Sequence, residues 1–282
     1  LNFLLKFYKN CENNGPFKPS LLRCHLCRKR INLGLNLLEN TRNLISIKLQ
    51  DLVYDRSCEI KLNFKDTDNL KNYYLDGFPI GLACLSSLIS LIKESFPNLE
   101  THEEMLNRLL LSAGTSYLRF SRLMAQENYD VAYTFNGRFS SSRAFVAAAE
   151  KNNIEFYTHE SATSSLQKYM LYKQSLPHDI PKFTERVLDF YQQNINNSEM
   201  FEDAKQFFEE MLTKKNTRRY NFAEDQESGH LPAMKVECIN IALYTSSEDE
   251  YQAIGNSWEN SLFDNQLEAI QQLSNYCEKH KL

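Results

Sequence analysis

Val131-Ala132-Tyr133-Thr134-Phe135-Asn136-Gly137-Arg138-Phe139-Ser140-Ser141-Ser142-Arg143 is the stretch from which the fold class can be argued. Its first five residues are apolar, aromatic or β-branched, and Asp130 and Asn136-Gly137 bound them, so they predict a buried strand. Ser140 to Glu150 predicts a helix with Ala144, Phe145 and Ala148 on one side. Asn152-Asn153 stops it, and Ile154-Glu155-Phe156-Tyr157-Thr158 predicts a second strand. A strand, a helix and a strand in so short a span fit a right-handed crossover between parallel neighbours. The expectation is an α/β fold: a Rossmann-like parallel sheet with helices on both faces.

Upstream, Leu82, Leu85, Leu88, Ile89 and Ile92 have helical spacing between Gly81 and Glu94. Met105, Leu109, Leu110, Tyr117, Leu118 and Met124 repeat it from Glu103 to Gln126, as one long helix or a broken pair. The first 75 or so residues mix short apolar runs with Asn- and Lys-rich turns and give no pattern to assign. Gly77 and Gly81 flank Phe78-Pro79-Ile80 and are expected to serve a turn.

Downstream, Pro181 to Asn194 and Glu199 to Lys214 predict two helices, the second with Phe201, Phe207, Phe208 and Met211 as its apolar face. Thr213 to Pro232 is polar and reads as a linker or a long mobile loop. Cys238 to Tyr244 then predicts a new strand. Leu267, Ile270 and Leu273 follow on a helix that Asp264 could cap. The expected organisation is an amino-terminal, acceptor-side domain over 1–212, a linker over 213–235, and the start of a second α/β domain over 236–282. Leu1 at one end and a helix pattern running up to Leu282 at the other suggest a piece of a longer protein.

Composition narrows the function. The 282 residues carry 32 basic and 36 acidic side chains, a net charge of −4, so no basic field points to nucleic acid. No apolar run reaches the ~18 to 20 residues that span a bilayer. Seven scattered cysteines, an odd number, favour a reducing cytoplasm over a disulfide scaffold. Cys24-His25-Leu26-Cys27 is half of a zinc ribbon without a second pair downstream, so ordinary thiols and no metal are expected. Walker, GxSxG, HExxH and GxGxxG patterns are missing from the sequence, which counts against NTPases, hydrolases, metalloproteases and dinucleotide oxidoreductases.

In an open parallel sheet, ligands bind beyond the carboxyl ends of the strands. Three segments are therefore candidates. Asn136-Gly137 permits a left-handed turn, Arg138 offers a planar fork to phosphate or carboxylate, and the serines could cap a helix whose amino end favours an anion. The alternative is a tight turn with Arg138 in an internal ion pair. His159-Glu160-Ser161 is expected in the loop after the second strand. There Glu160 could act as general base for a hydroxyl nucleophile, and His159 would pack or bind beside it; a structural role for both is the alternative. Thr245, Ser246, Ser247 and Glu250 form the third segment, where hydroxyls and amides suit a diphosphate. Ser246-x-x-Asp249 and Ser247-x-x-Glu250 are equally capping-box spacings. His178 and Trp258 are weaker candidates, with a loop hydrogen bond and packing as their commoner roles.

Two blocks resemble the capsule-polysaccharide-biosynthesis type of bacterial glycosyltransferase. One runs from Val131 to Glu160; the other is Tyr244-Thr245-Ser246-Ser247-Glu248-Asp249-Glu250, with Trp258 and Gln266 following. The resemblance covers about a third of the chain. It implies a GT-B architecture, two Rossmann-like domains facing across a cleft, usually metal-independent and without a cofactor. It also implies transfer from a nucleotide-sugar donor to a glycan or lipid-linked glycan acceptor, in the cytoplasm or in peripheral association with the inner face of the membrane. Glu160 would be catalytic. Asn136, Gly137, Arg138, His159, Thr245, Ser246, Ser247 and Glu250 would bind substrates. The rivals are a non-catalytic carbohydrate- or nucleotide-binding module of the same fold, and a scaffold protein.

Overall fold

The computed structural model describes residues 25, 29, 32, 33, 59–161, 169–212, 239–258 and 262–280. Two compact units divide between Phe156 and Tyr157. In the first unit the order is α1 (Thr67–Lys71), α2 (Ile80–Ile92), α3 (Glu103–Gln126), β1 (Val131–Phe135) and α4 (Ser140–Lys151). Strand β2 (Glu155–Ser161) follows and runs into the second unit. That unit continues with β3 (Tyr169–Lys173), α5 (Ile180–Gln193), α6 (Ser198–Leu212), α7 (Glu248–Tyr251), a 3-10 turn at Asn256–Trp258, and α8 (Gln266–His280).

Helix α2 buries Ile80, Ala83, Cys84, Leu85, Leu88 and Ile89, and also Gly81, Ser86 and Ser87, so it has almost no solvent face. A helix apolar on every side must sit inside its unit. Helix α3 is one unbroken helix, and Leu106, Leu109, Leu110, Ala113, Tyr117 and Met124 give it a single buried stripe. Helix α4 buries Ala144, Val146, Ala147, Ala148 and Ala149. Those short side chains allow its backbone close to α3, where Phe145 meets Phe120 edge-on at 5.0 Å. Burial alone pushes the Cys84 thiol far above its ordinary range.

Two polar contacts lock this core. Asp76 (φ 51°) and Gly77 (φ 83°) form a tight left-handed turn between Leu75 and Phe78. The buried Tyr117 hydroxyl donates to the Asp76 carbonyl at 2.7 Å, and Lys151 pairs with the Asp76 carboxylate. Gly77 thus serves the expected turn, but Gly81 does not. It lies in α2, donates its N–H to Tyr73 O at 3.0 Å, and a Cβ there would sit 1.7 Å from Leu70 O. Only glycine lets α1 and α2 approach so closely.

The sheet has the order β1-β2-β3 and is mixed. Strands β1 and β2, joined through α4, are the parallel pair that the sequence pattern predicts. Strand β3 corrects the all-parallel expectation, because it pairs antiparallel with β2, Tyr157 opposite Lys173 through Ser161 opposite Tyr169. The chain between Ser161 and Tyr169 is shorter than the dozen or so residues a parallel crossover needs. The predicted strand at Cys238–Tyr244 is also corrected: residues 239–244 carry no strand ladder, and Ile239, Ile241 and Leu243 are exposed. Cys238 itself lies outside the described residues, as do Cys24, Cys27 and all of 213–235.

Substituting Gly81→Ala should destabilise the protein by about 3 kcal/mol or more, since the colliding atom is backbone and cannot swing away. Urea unfolding of the two proteins measures it, and a change near zero would mean that α1 is free to shift.

Candidate functional site

The first candidate segment forms the left-handed turn expected of it. Asn136 (φ 57°) and Gly137 (φ 79°) are both buried, and Asn136 Oδ1 accepts from the Arg138 N–H at 3.1 Å. The Arg138 guanidinium stacks on the Phe139 ring at 4.7 Å. The serines do not cap α4. Phe139 occupies the cap position without a side-chain bond, and Ser142 donates to Phe139 O at 3.2 Å. The cap comes from another helix: Ser87 Oγ of α2 accepts from the buried Ser140 N–H at 2.8 Å. One of the amides meant for an anion is therefore already bonded to a hydroxyl.

The second segment is not a loop. His159, Glu160 and Ser161 continue β2, opposite Leu171, Met170 and Tyr169. Antiparallel pairing keeps them in the strand, a partner that local sequence does not reveal. Alternation then separates the two candidates. His159 shares a face with Tyr169, whose ring it meets edge-on at 5.6 Å. Glu160 shares the other face with Thr158, Met170 and Tyr172.

On that second face the structure assembles an ionisable group that sequence reasoning missed. Tyr172 lies across from Thr158 and one cross-strand step from Glu160. The Arg186 guanidinium of α5 sits 5.8 Å from the Tyr172 ring and donates to Leu171 O at 3.0 Å. Burial raises the Tyr172 phenol above its ordinary range; Arg186 opposes the shift and Glu160 adds to it. Glu160 also accepts from the Ser161 N–H at 2.9 Å. Carboxylate, phenol and guanidinium together can take a proton, donate a hydrogen bond and hold an anion. The short aromatic and apolar run Tyr169-Met170-Leu171-Tyr172 was the available signal for β3; nothing local pointed to Arg186.

The third segment closes on itself. Gln266, at the start of α8, clasps the Ser246 backbone: its Oε1 accepts from Ser246 N at 2.9 Å, and its Nε2 donates to Ser246 O at 2.7 Å. Glu248 Oε1 accepts from Gln266 N at 2.6 Å. Thr245 lies in the irregular stretch before Ser246. Ser247 precedes α7 without a side-chain capping bond, and Glu250 N donates to Ser247 O at 3.0 Å, a backbone turn instead of a capping box. Asn265, one residue past the expected Asp264, caps α8 by accepting from Glu268 N at 2.8 Å. Trp258 is held by its own unit, its Nε1–H donating to His178 O at 2.8 Å.

Among the described residues no group of three or more His, Cys, Asp or Glu side chains could hold a metal ion. None of the described helices is long and apolar enough to cross a membrane. Compared with models of known families, with curated proteins and with solved structures, the chain finds no match.

The Tyr172 shift has a direction that can be tested. A raised value favours the neutral phenol, so its contribution to folding is present below the ordinary tyrosine range and is lost as pH climbs through the folded-state value. Ring-labelled NMR titration should place Tyr172 above an exposed tyrosine. Arg186→Ala should move it higher and Glu160→Gln lower, and a shift of the opposite sign in either variant would break the assignment.

Proposed function

We propose that the protein is a glycosyltransferase that moves a sugar from a nucleotide-sugar donor to a surface polysaccharide or glycolipid acceptor. The observation that carries this reading is Glu160, half-buried on β2 on the face of Tyr172, whose ring the Arg186 guanidinium approaches. In the reaction Glu160 takes the proton of the acceptor hydroxyl. The oxygen attacks the anomeric carbon, and the bond from that carbon to the diphosphate breaks, releasing the nucleoside diphosphate. Fixed positive groups aimed at the leaving diphosphate lower the barrier most. Because the amides of Ser140 and Ser246 are engaged by Ser87 and Gln266, that task falls to a guanidinium group, and Arg186 is the one set against Tyr172 on the Glu160 face. In this reading β1-α4-β2 belongs to a Rossmann-like domain of GT-B type, 239–280 opens the donor domain, and the reaction runs in the cytoplasm, where lipid-linked acceptors face it.

The same two engaged amides favour a second reading, a carbohydrate- or nucleotide-binding module without turnover. A diphosphate would have to displace Gln266 from Ser246 to use that N–H.

A panel of nucleotide sugars, read by release of nucleoside diphosphate, separates the two. The enzyme releases diphosphate from at least one donor, and Glu160→Gln lowers the rate about a hundredfold or more while binding persists. Binding with no release from any donor supports the module. Neither binding nor release removes both readings. Arg138→Ala should weaken nucleotide engagement with little change in melting temperature. A large fall in melting temperature with unchanged binding would make Arg138 a structural residue stacked on Phe139.

A further inference from the structure

Helix α6 exposes large aromatic side chains in one stripe: Phe201 at 44%, Phe207 at 37% and Phe208 at 63%. At 3.6 residues per turn these three fall along one side of the helix. Contiguous apolar surface of this kind marks an interaction site. The borders of the stripe say what it would accept. Asp203 and Glu210 flank it on the Phe207 side; Glu202, Lys205 and Glu209 flank it on the Phe201 side. With Glu199, the helix carries five carboxylates and one ammonium.

Neighbouring α5 does not offset that charge. Its own cations are turned to the edge of the sheet, Arg186 donating to Leu171 O and Lys182 to Gln174 O. Tyr191 of α5 meets Phe201 edge-on at 6.4 Å and extends the apolar surface without adding charge.

We propose that the α6 stripe docks a basic amphipathic helix of a partner protein. The apolar face of such a helix covers Phe201, Phe207 and Phe208, and its lysines or arginines meet the acidic borders. A second copy of this chain would set like charge against like charge along the same borders. An anionic bilayer would repel them too. The proposal is independent of sugar transfer.

The test uses the full chain and a fluorescent 18-residue Leu/Lys amphipathic peptide, with its Leu/Glu counterpart as control, read by anisotropy. The Leu/Lys peptide should bind and the Leu/Glu peptide should not, and binding should weaken as salt rises from about 0.05 to 0.5 M. Phe208→Ser should raise the dissociation constant about tenfold, and Glu209→Lys/Glu210→Lys by at least as much. Circular dichroism checks that both variants are folded. The charge-reversed pair carries the test if the serine variant is not.

Equal binding of the peptide by Phe208→Ser would show attraction to net charge alone and overturn the proposal. So would a dimer in sedimentation that Phe208→Ser dissociates, since a second copy would then be the occupant. Flotation of the wild-type chain with phosphatidylcholine/phosphatidylserine vesicles would assign the stripe to lipid and overturn it equally.

Discussion

The first unit depends on a helix with no outside. Because α2 is covered on nearly every side, each neighbour must come to it, and each solves the contact differently. Helix α1 approaches through Gly81, where any side chain would strike the Leu70 carbonyl. Helix α4 approaches at its amino end, where the buried Ser140 N–H finds Ser87 Oγ. A buried N–H left without a partner costs about 1–3 kcal/mol, so Ser87 has a reason to sit in this buried helix. The turn at Asp76-Gly77 is fixed from two directions, by Tyr117 from α3 and by Lys151 at the end of α4. The helices are thus positioned by a few polar contacts in an apolar setting, and β1 and its following loop inherit that placement.

The second unit is built on the opposite principle. Helix α5 has no buried residue, and the element it serves is a strand edge. An outermost strand presents unpaired carbonyls that invite another strand. Here Arg186 and Lys182 of α5 reach two of the carbonyls at the β3 end, which blunts the edge with charge. Thr158, fully buried, donates from β2 to Ser175 O at 2.8 Å and ties the far end of the hairpin back. Bringing Arg186 to the edge also brings it to Tyr172. The chemistry proposed for the Glu160 face is therefore a consequence of how the sheet edge is closed.

Much of this was legible in the sequence wherever the deciding interaction is local. The bounds of β1, the helical periodicity of α3 and the left-handed Asn136-Gly137 turn follow from the sequence pattern and from the conformations those residues tolerate, whereas periodicity left open whether α3 was one helix or two. What escaped was set by distant partners. His159 to Ser161 remain strand because β3 pairs with them. Ile239, Ile241 and Leu243 alternate like a strand, yet no ladder forms on them, and alternation alone does not supply one. Gly81 reads as a turn glycine until Leu70 is placed beside it. Asp264 and Asn265 are both good caps, and the backbone decided between neighbours. The candidate site divides the same way: Glu160 could be named, though as a loop residue, whereas Tyr172 and Arg186 required the hairpin and the helix behind it.

A helix start attracts anions only while its N–H groups are unsatisfied. In this protein two of the segments suited by composition to a diphosphate have spent a key donor inward, Ser140 on Ser87 and Ser246 on Gln266. The two cases differ in what it would take to reverse them. The Ser140 bond is buried between two core helices, so breaking it strands a hydroxyl and an amide away from water. The Ser246 clasp is exposed, and water can replace either of its bonds at little net cost. Of these two segments, the Gln266 clasp is the one at which a phosphate group could compete for a main-chain donor. Glu248, which holds Gln266 N, would have to turn its charge away for it to do so.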